Sequence, residues 1–305
     1  MNLHVSAARP DERLAALRIF FQHVFPAQLE ARVANASALI ARGELPPEGL
    51  LICRGGDVIL GAITALPMAG AAALIWPPQV VNGVPPQAVE DALIRSAIAW
   101  LRQRGAKFAQ ALLAKTDVAH VQPLQRHGFQ HITTLLHLDR ELGNDYQGPI
   151  PAARLRCEPY TACDQRLFDK LLLASYEQTL DCPELNDLRT ADDILAGYRA
   201  VPGSRLDRWW LVWHGTTPVG VLIMMPFQEP PAWEMAYVGL APAARRQGFG
   251  RELTLQAMRQ AWADGADRMT LTVDARNQPA CGLYESLGFV EFDRREVYLA
   301  IFHQA

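Results

Sequence analysis

The sequence predicts a mixed α/β protein composed of one unit written twice, and three observations support this. Landmarks recur at a nearly constant offset: Gly265-Ala266 falls on Gly105-Ala106 and Leu287-Gly288-Phe289 on His127-Gly128-Phe129, each 160 residues apart (265 − 105, 289 − 129). Val219-Gly220 with Pro226 falls on Leu60-Gly61 with Pro67 at an offset of 159 (219 − 60). Within each copy, short apolar runs bounded by turn residues alternate with longer runs of helical spacing. The 305 residues are 50% hydrophobic and 20% charged, enough apolar surface for two or three packed domains. A repeat at domain length settles the number at two.

Each copy begins with a helical pattern, residues 11–25 and 162–176. Apolar runs follow at 50–53 and 58–66, and again at 209–213 and 218–225. They are split by Arg54-Gly55-Gly56-Asp57 and His214-Gly215-Thr216-Thr217, so both pairs are predicted hairpins. A further strand, a long helix (87–104; 248–263), a glycine that ends it, a strand (108–113; 268–273), a short helix and a last strand complete each copy. Residues 140–154, with Gly143, Asn144, Gly148, Pro149 and Pro151, read as the linker, giving domains 1–147 and 148–305. The charge-free run 58–89 is broken by Gly61, Pro67, Gly70, Pro77, Pro78, Pro85 and Pro86, so two buried strands are expected rather than a membrane helix.

A net charge of −3 and a pI near 6.2 provide no basic field for nucleic acid and no polybasic run for a membrane. Five scattered cysteines without a C-x-x-C pair suggest neither a disulfide framework nor a zinc site. No metal is expected. Residues 1–13 lack the layout of a signal peptide, and a reducing cytoplasm fits best.

The chemistry concentrates in the second copy. Strand 233–240 runs into Ala241-Pro242-Ala243-Ala244-Arg245-Arg246-Gln247-Gly248-Phe249-Gly250-Arg251 and then a helix. Gly248 and Gly250 permit close approach of a ligand, and the unpaired N–H groups and positive dipole end of a helix's first turn favour an anion such as a pyrophosphate. Arg245, Arg246 and Arg251 add positive charge there. Farther on, strand 269–273 ends at Asp274, and Asn277 followed by Pro279 starts a helix that Gly288 stops, with Tyr284 projecting from it.

Together the strand, the R-x-x-G-x-G helix, the second strand and the run N-x-x-A-x-x-x-Y-x-x-x-G-F resemble the GNAT superfamily of N-acetyltransferases. The resemblance covers the second half from about Arg154 and extends more loosely to the first. It implies tandem domains, each a central, mostly antiparallel sheet flanked by helices, and acetyl-CoA as co-substrate. On the matching positions, Arg245, Arg246, Gln247, Gly248, Phe249, Gly250 and Arg251 would hold the pyrophosphate, while Val238, Gly239 and Leu240 would pair with the pantetheine arm, helped by Asn277. The Val238 N–H would polarise the thioester carbonyl. Glu234, on an otherwise apolar strand, is the expected base, its pKa raised by desolvation; the alternative is a solvent-facing edge residue. Tyr284 is the expected acid for the departing thiolate; otherwise it is a half-buried aromatic on an amphipathic helix. Cys281, one turn earlier, reads as a small core residue.

At the corresponding positions of the first copy stand Pro85, Ala88, Glu90 and Leu124 in place of Arg245, Gly248, Gly250 and Tyr284. That copy is expected to be catalytically dead. The acceptor region, 176–208, carries Tyr176, Asp181 and Glu184, a set suited to a cationic small-molecule amine; its other acids, as in Thr190 with Asp192-Asp193, also suit helix capping. Direct transfer to a primary amine in a ternary complex is the leading expectation. A tandem enzyme pairing a degenerate with an active copy and a non-catalytic acetyl-CoA sensor are the alternatives, and a homodimer is left open.

Overall fold

The computed structural model describes residues 2–143, 153–227 and 231–302. It divides into two compact units, residues 1–132 with 296–305, and residues 133–295. The first holds β1 (Leu3–Ala7), α1 (Arg13–Phe20), α2 (Pro26–Ala41), β2 (Leu50–Gly55), β3 (Val58–Met68), β4 (Ala72–Ile75), β5 (Gln79–Val80), α3 (Pro86–Gln103), β6 (Phe108–Leu113) and α4 (Gln122–Arg126). Strand β7 (Gln130–Glu141) follows, and most of it belongs to the second unit. The second unit continues with β8 (Leu155–Pro159), α5 (Gln165–Ala174), α6 (Ala191–Arg199), β9 (Trp209–His214), β10 (Thr217–Pro226), β11 (Ala232–Leu240), α7 (Phe249–Ala263), β12 (Arg268–Asp274), α8 (Gln278–Ser286) and the start of β13 (Val290–Ile301).

Both expected hairpins form, as β2–β3 and β9–β10, and both long helices lie within a residue of their expected starts. The run 58–89 contains β3, β4 and β5, and no helix among the described residues is long and apolar enough to cross a membrane. The helical pattern 11–25 instead ends at Phe20, and Pro26 starts a separate helix, since proline suits a first turn better than a helix interior. Strands β1 and β8 escaped the sequence reading because they are short and only partly buried. Of the expected linker 140–154, residues 140–141 are the end of β7, while residues 144–152 and the boundary at 147/148 lie outside the described residues; the described contacts divide the chain at 132/133.

Each unit borrows its final strand from the other half of the sequence. In the first unit β6 pairs antiparallel with Glu296–Ile301 of β13, and in the second β12 pairs antiparallel with Leu135–Glu141 of β7. The order in the second unit is thus β8-β9-β10-β11-β12-β7. Side chains alternate across it with a period of two. Leu222 and Met224 enter a core with Leu253, Ala257 and Met258 of α7, while Val221, Ile223 and Met225 enter another with Phe168, Leu171 and Ile194 of α5 and α6. A register shift between Ile223 and Met224 leaves Ala236 as an extra residue in β11. Ala236 and Tyr237 therefore pack with the α5 layer, and Val238 and Leu240 return to the α7 layer.

Candidate active site

Strands β11 and β12 run parallel and pair only over Ala232–Glu234 and Arg268–Thr270; from Met235 onward they separate. Into this splay opens a cleft of about 1090 Å³, just above the range of roughly 300–1,000 Å³ usual for small-molecule sites. Met235 to Leu240 form one wall; Thr272, Asn277 and Tyr284 stand across from it, and Leu135 of β7 contributes as well.

At one end is the tip of α7. Gly248 is its N-cap with φ +80°, a conformation that costs an L side chain roughly 1–2 kcal/mol. A Cβ there would lie 3.3 Å from Arg154 Nη2. No side chain caps this helix, so its first-turn N–H groups remain open to an anion. The turn is braced from behind. Glu252 Oε1 accepts the N–H groups of Arg154 and Leu155, both at 2.7 Å, and Arg154 Nη1 donates to the Gln247 carbonyl at 3.0 Å.

The three arginines divide in role. Arg246 (φ +63°) and Arg251 are exposed on the cleft wall, and Arg251 also donates to Ser286 Oγ at 3.0 Å. Arg245 lines the cleft, but its guanidinium is committed to four carbonyls, of Leu240 (3.1 Å), Gln178 (3.2 Å), Ser175 (3.0 Å) and Glu177 (2.7 Å). It ties the loop after β11 to the end of α5 instead of presenting a free fork to phosphate. Gln247 and Phe249 are not on the cleft wall: Gln247 Nε2 donates back to Ala243, and Phe249 is buried in the α7 core.

Gly239 is required by packing. A Cβ there would sit 2.4 Å from Ser175 Oγ. That hydroxyl donates to the Leu172 carbonyl at 2.6 Å and accepts from Tyr237 Oη at 2.6 Å, while the Tyr237 ring meets Tyr176 at 5.5 Å. Burial raises the pKa of both phenols. Asn186 Nδ2 donates to the Tyr176 carbonyl at 3.2 Å, and its buried Oδ1 finds no partner among the described residues. Sequence reasoning overlooked Tyr237 because only the bulge at Ala236 turns it toward α5.

Asp274, at the end of β12 and wholly buried, anchors the loop that carries Asp181 and Cys182. Burial pushes its pKa up, but hydrogen bonds from Arg276, Thr133 and the Cys182 N–H prevail and hold it at about 2. Arg276 also grips Glu184 at both oxygens, 2.7 and 2.9 Å. Glu184 therefore fastens its loop to β12 and is not on the cleft wall, unlike Tyr176 and Asp181. Asp181, Cys182 and Asp274 bring ligand atoms within 4.8 Å of one another, yet the Arg276 guanidinium already neutralises that cluster. Asp274 and Arg276 were legible only as an acid ending an apolar strand with a base two residues on.

Asn277 caps α8 through Oδ1, which accepts the Ala280 N–H at 3.3 Å, and lines the cleft. Tyr284 is nearly buried, lines the cleft, and packs edge-on to Phe289 at 5.8 Å; burial raises its pKa, so the phenol is protonated at neutral pH. Glu234 has its pKa raised by desolvation, as expected, but it is not among the residues that line the cleft with Tyr284.

An open helix tip, a groove between splayed strands and a protonated phenol share one cleft. Comparison with known proteins supplies the class. The sequence model of the acetyltransferase (GNAT) family matches residues 172–289, within the second unit, so that segment carries a GNAT-type acetyltransferase domain. Among its relatives are mycothiol acetyltransferases of Renibacterium salmoninarum, 42% identical over 65 residues (21% of this chain, 19% of the relative), and Streptosporangium roseum, 40% over 85 residues (28% and 21%). The matches thus span about a fifth of those relatives' length. In fold it is similar to a GCN5-related N-acetyltransferase from Sphaerobacter thermophilus (TM-score 0.60, 14% identity, covering 99% and 96% of the two chains). A tandem GNAT protein from the clavulanic acid biosynthesis pathway is also similar (TM-score 0.52, 16% identity, 100% of both).

Proposed function

We infer that the protein transfers acetyl from acetyl-CoA directly to the primary amine of a small molecule, in a ternary complex, in the cytoplasm. The observation that carries this reading is the cleft that runs from the open tip of α7 along the splayed edge of β11 to Tyr284.

The pyrophosphate meets the first-turn N–H groups of α7, with Arg246 and Arg251 at its flanks. The pantetheine arm adds to the edge of β11 at Val238, Gly239 and Leu240, where β12 no longer pairs. The Val238 N–H stabilises the oxygen charge that develops as the amine attacks. The nitrogen forms a bond to the carbonyl carbon, the carbon–sulfur bond breaks, and Tyr284 gives its proton to the sulfur and recovers one from the new amide nitrogen. Asp181 and the unsatisfied Asn186 Oδ1 supply acceptors for a donor-rich ammonium group. The likeness to mycothiol acetyltransferases favours a mycothiol-related acceptor as a second, narrower reading.

Titration calorimetry with acetyl-CoA tests the core of this reading. One site per chain is expected; two equivalent sites would contradict a dead first copy, and no binding would remove the reading. Thiol release with a panel of primary amines then tests transfer.

A further inference from the structure

An alkylamine is almost entirely protonated at neutral pH, because its pKa lies near 10, so a group within reach must take a proton before attack. We propose that Asp181 is that base: it stands on the cleft wall shared with Tyr284, whereas Glu234 does not line the cleft. The inference rests on the acetyl-transfer reading above and assigns its missing proton acceptor.

The carboxylate is held in place. Its Oδ1 accepts the Asp274 N–H at 3.2 Å, its own N–H donates to Thr179 Oγ1 at 3.1 Å, and the next residue's N–H donates to Asp274 Oδ2 at 3.0 Å. Cys182 turns the chain there at φ +44°. These reciprocal bonds lock the loop onto the end of β12, and Asp181 Oδ2 has no hydrogen-bond partner among the described residues. One oxygen is thus used for position and the other left for chemistry.

The surroundings tune it. Desolvation and the neighbouring Asp274 push the Asp181 pKa up to about 6, against the pull of the Asp274 N–H and of Arg276. Cys182 follows it in the loop; Cys281 and Tyr284 on α8, Tyr176 after α5 and Tyr198 on α6 also lie within its field and are neutral at pH 7. Water still reaches Asp181 from the cleft, and a bound acceptor displaces it. At pH 7 the group is mostly ionised, ready both to hold an ammonium and to accept its proton. The R–NH3+ group gives one proton to Asp181, which returns it to water once the product has left the cleft. The free amine then attacks, and its second proton replaces the one that Tyr284 delivered to sulfur.

The test compares two nucleophiles, 1,5-diaminopentane, which is protonated at pH 7, and hydroxylamine, whose nitrogen is already mostly neutral there and needs no base. Wild type, D181N and E234Q are assayed with each, and acetyl-CoA affinity is measured by calorimetry as a check that the cleft is intact. D181N is expected to lower kcat with the diamine by about 100-fold or more, as loss of a general base does, and to remove the acidic limb of the kcat/KM profile near pH 6. Its hydroxylamine rate and acetyl-CoA Kd stay within about threefold of wild type. The acidic limb persists in E234Q. Equal losses of D181N with both nucleophiles, or disappearance of the limb in E234Q instead, would overturn the assignment while leaving acetyl transfer intact. A wild type that acetylates neither nucleophile and binds no acetyl-CoA would overturn both readings together.

Discussion

The same helix begins in two ways in the two halves of this chain. In the second unit α7 starts at Gly248 in a left-handed turn, with Arg246 and Arg251 exposed beside it. In the first, α3 starts with Pro85 as its N-cap and Pro86 as its first residue, so a backbone donor is missing where a phosphate would look for one. Glu90 and Asp91 then point to Arg126, at 2.6 and 3.1 Å, and fasten the first turns of α3 to α4. Shifted by 160 residues, the Asp91–Arg126 pair falls on Arg251–Ser286, which is a contact too. The first copy holds an ion pair where the second has an arginine–serine contact between the corresponding helices. The two copies thus share a contact between helices while their helix tips differ in backbone donors and charge.

The largest effect in this comparison is expected at Asp274, the last residue of β12, and its counterpart Ala114, just past the end of β6. Asp274→Ala leaves the Thr133 hydroxyl and the Cys182 and Arg276 N–H groups without their acceptor and should cost about 1–3 kcal/mol for each donor left buried, read as a drop in Tm for the second unit. Because the Asp274 carboxyl is held at about 2, its contribution is complete above about pH 4 and is lost as the pH falls toward about 2. The deficit of the variant should therefore shrink over that range in acid denaturation.

Gly248→Val should come next. It combines backbone strain with a branched side chain 3.3 Å from Arg154, and acetyl-CoA affinity should fall by about 100-fold in calorimetry. The matching change Ala88→Gly should create no second site; a second binding event would break the contrast drawn above. Tyr284→Phe should lower kcat by about 10- to 100-fold with KM nearly unchanged, the mark of an interaction made at the transition state. The smallest effect belongs to Glu90→Gln, whose partly exposed ion pair should be worth about 1 kcal/mol or less in urea unfolding.

What could be read from the sequence was what local rules determine. The hairpins announce themselves by glycine turns, α7 by its glycine tip and α8 by the Asn277 cap, and each is found where its residues said. The roles of Arg245 and Glu184 could not be read, because both are spent on partners far away in the chain: carbonyls of 175–178 for one, Arg276 for the other. Nor could Leu135 be placed in the cleft, since it sits in the first half of the sequence and reaches the site only because β7 pairs with β12. Residue type signals chemistry, but the register of a distant strand decides which chemistry meets.

The borrowed strands also constrain how the protein comes into being. The first unit needs residues 296–301 to cover β6, so it stays unfinished during translation until those residues have left the ribosome. An expression cut at the midpoint of the sequence would give two fragments, each short of one edge strand and each exposing the ladder that strand should occupy. Neither half is a self-sufficient module, so neither copy can be removed without unfinishing the other.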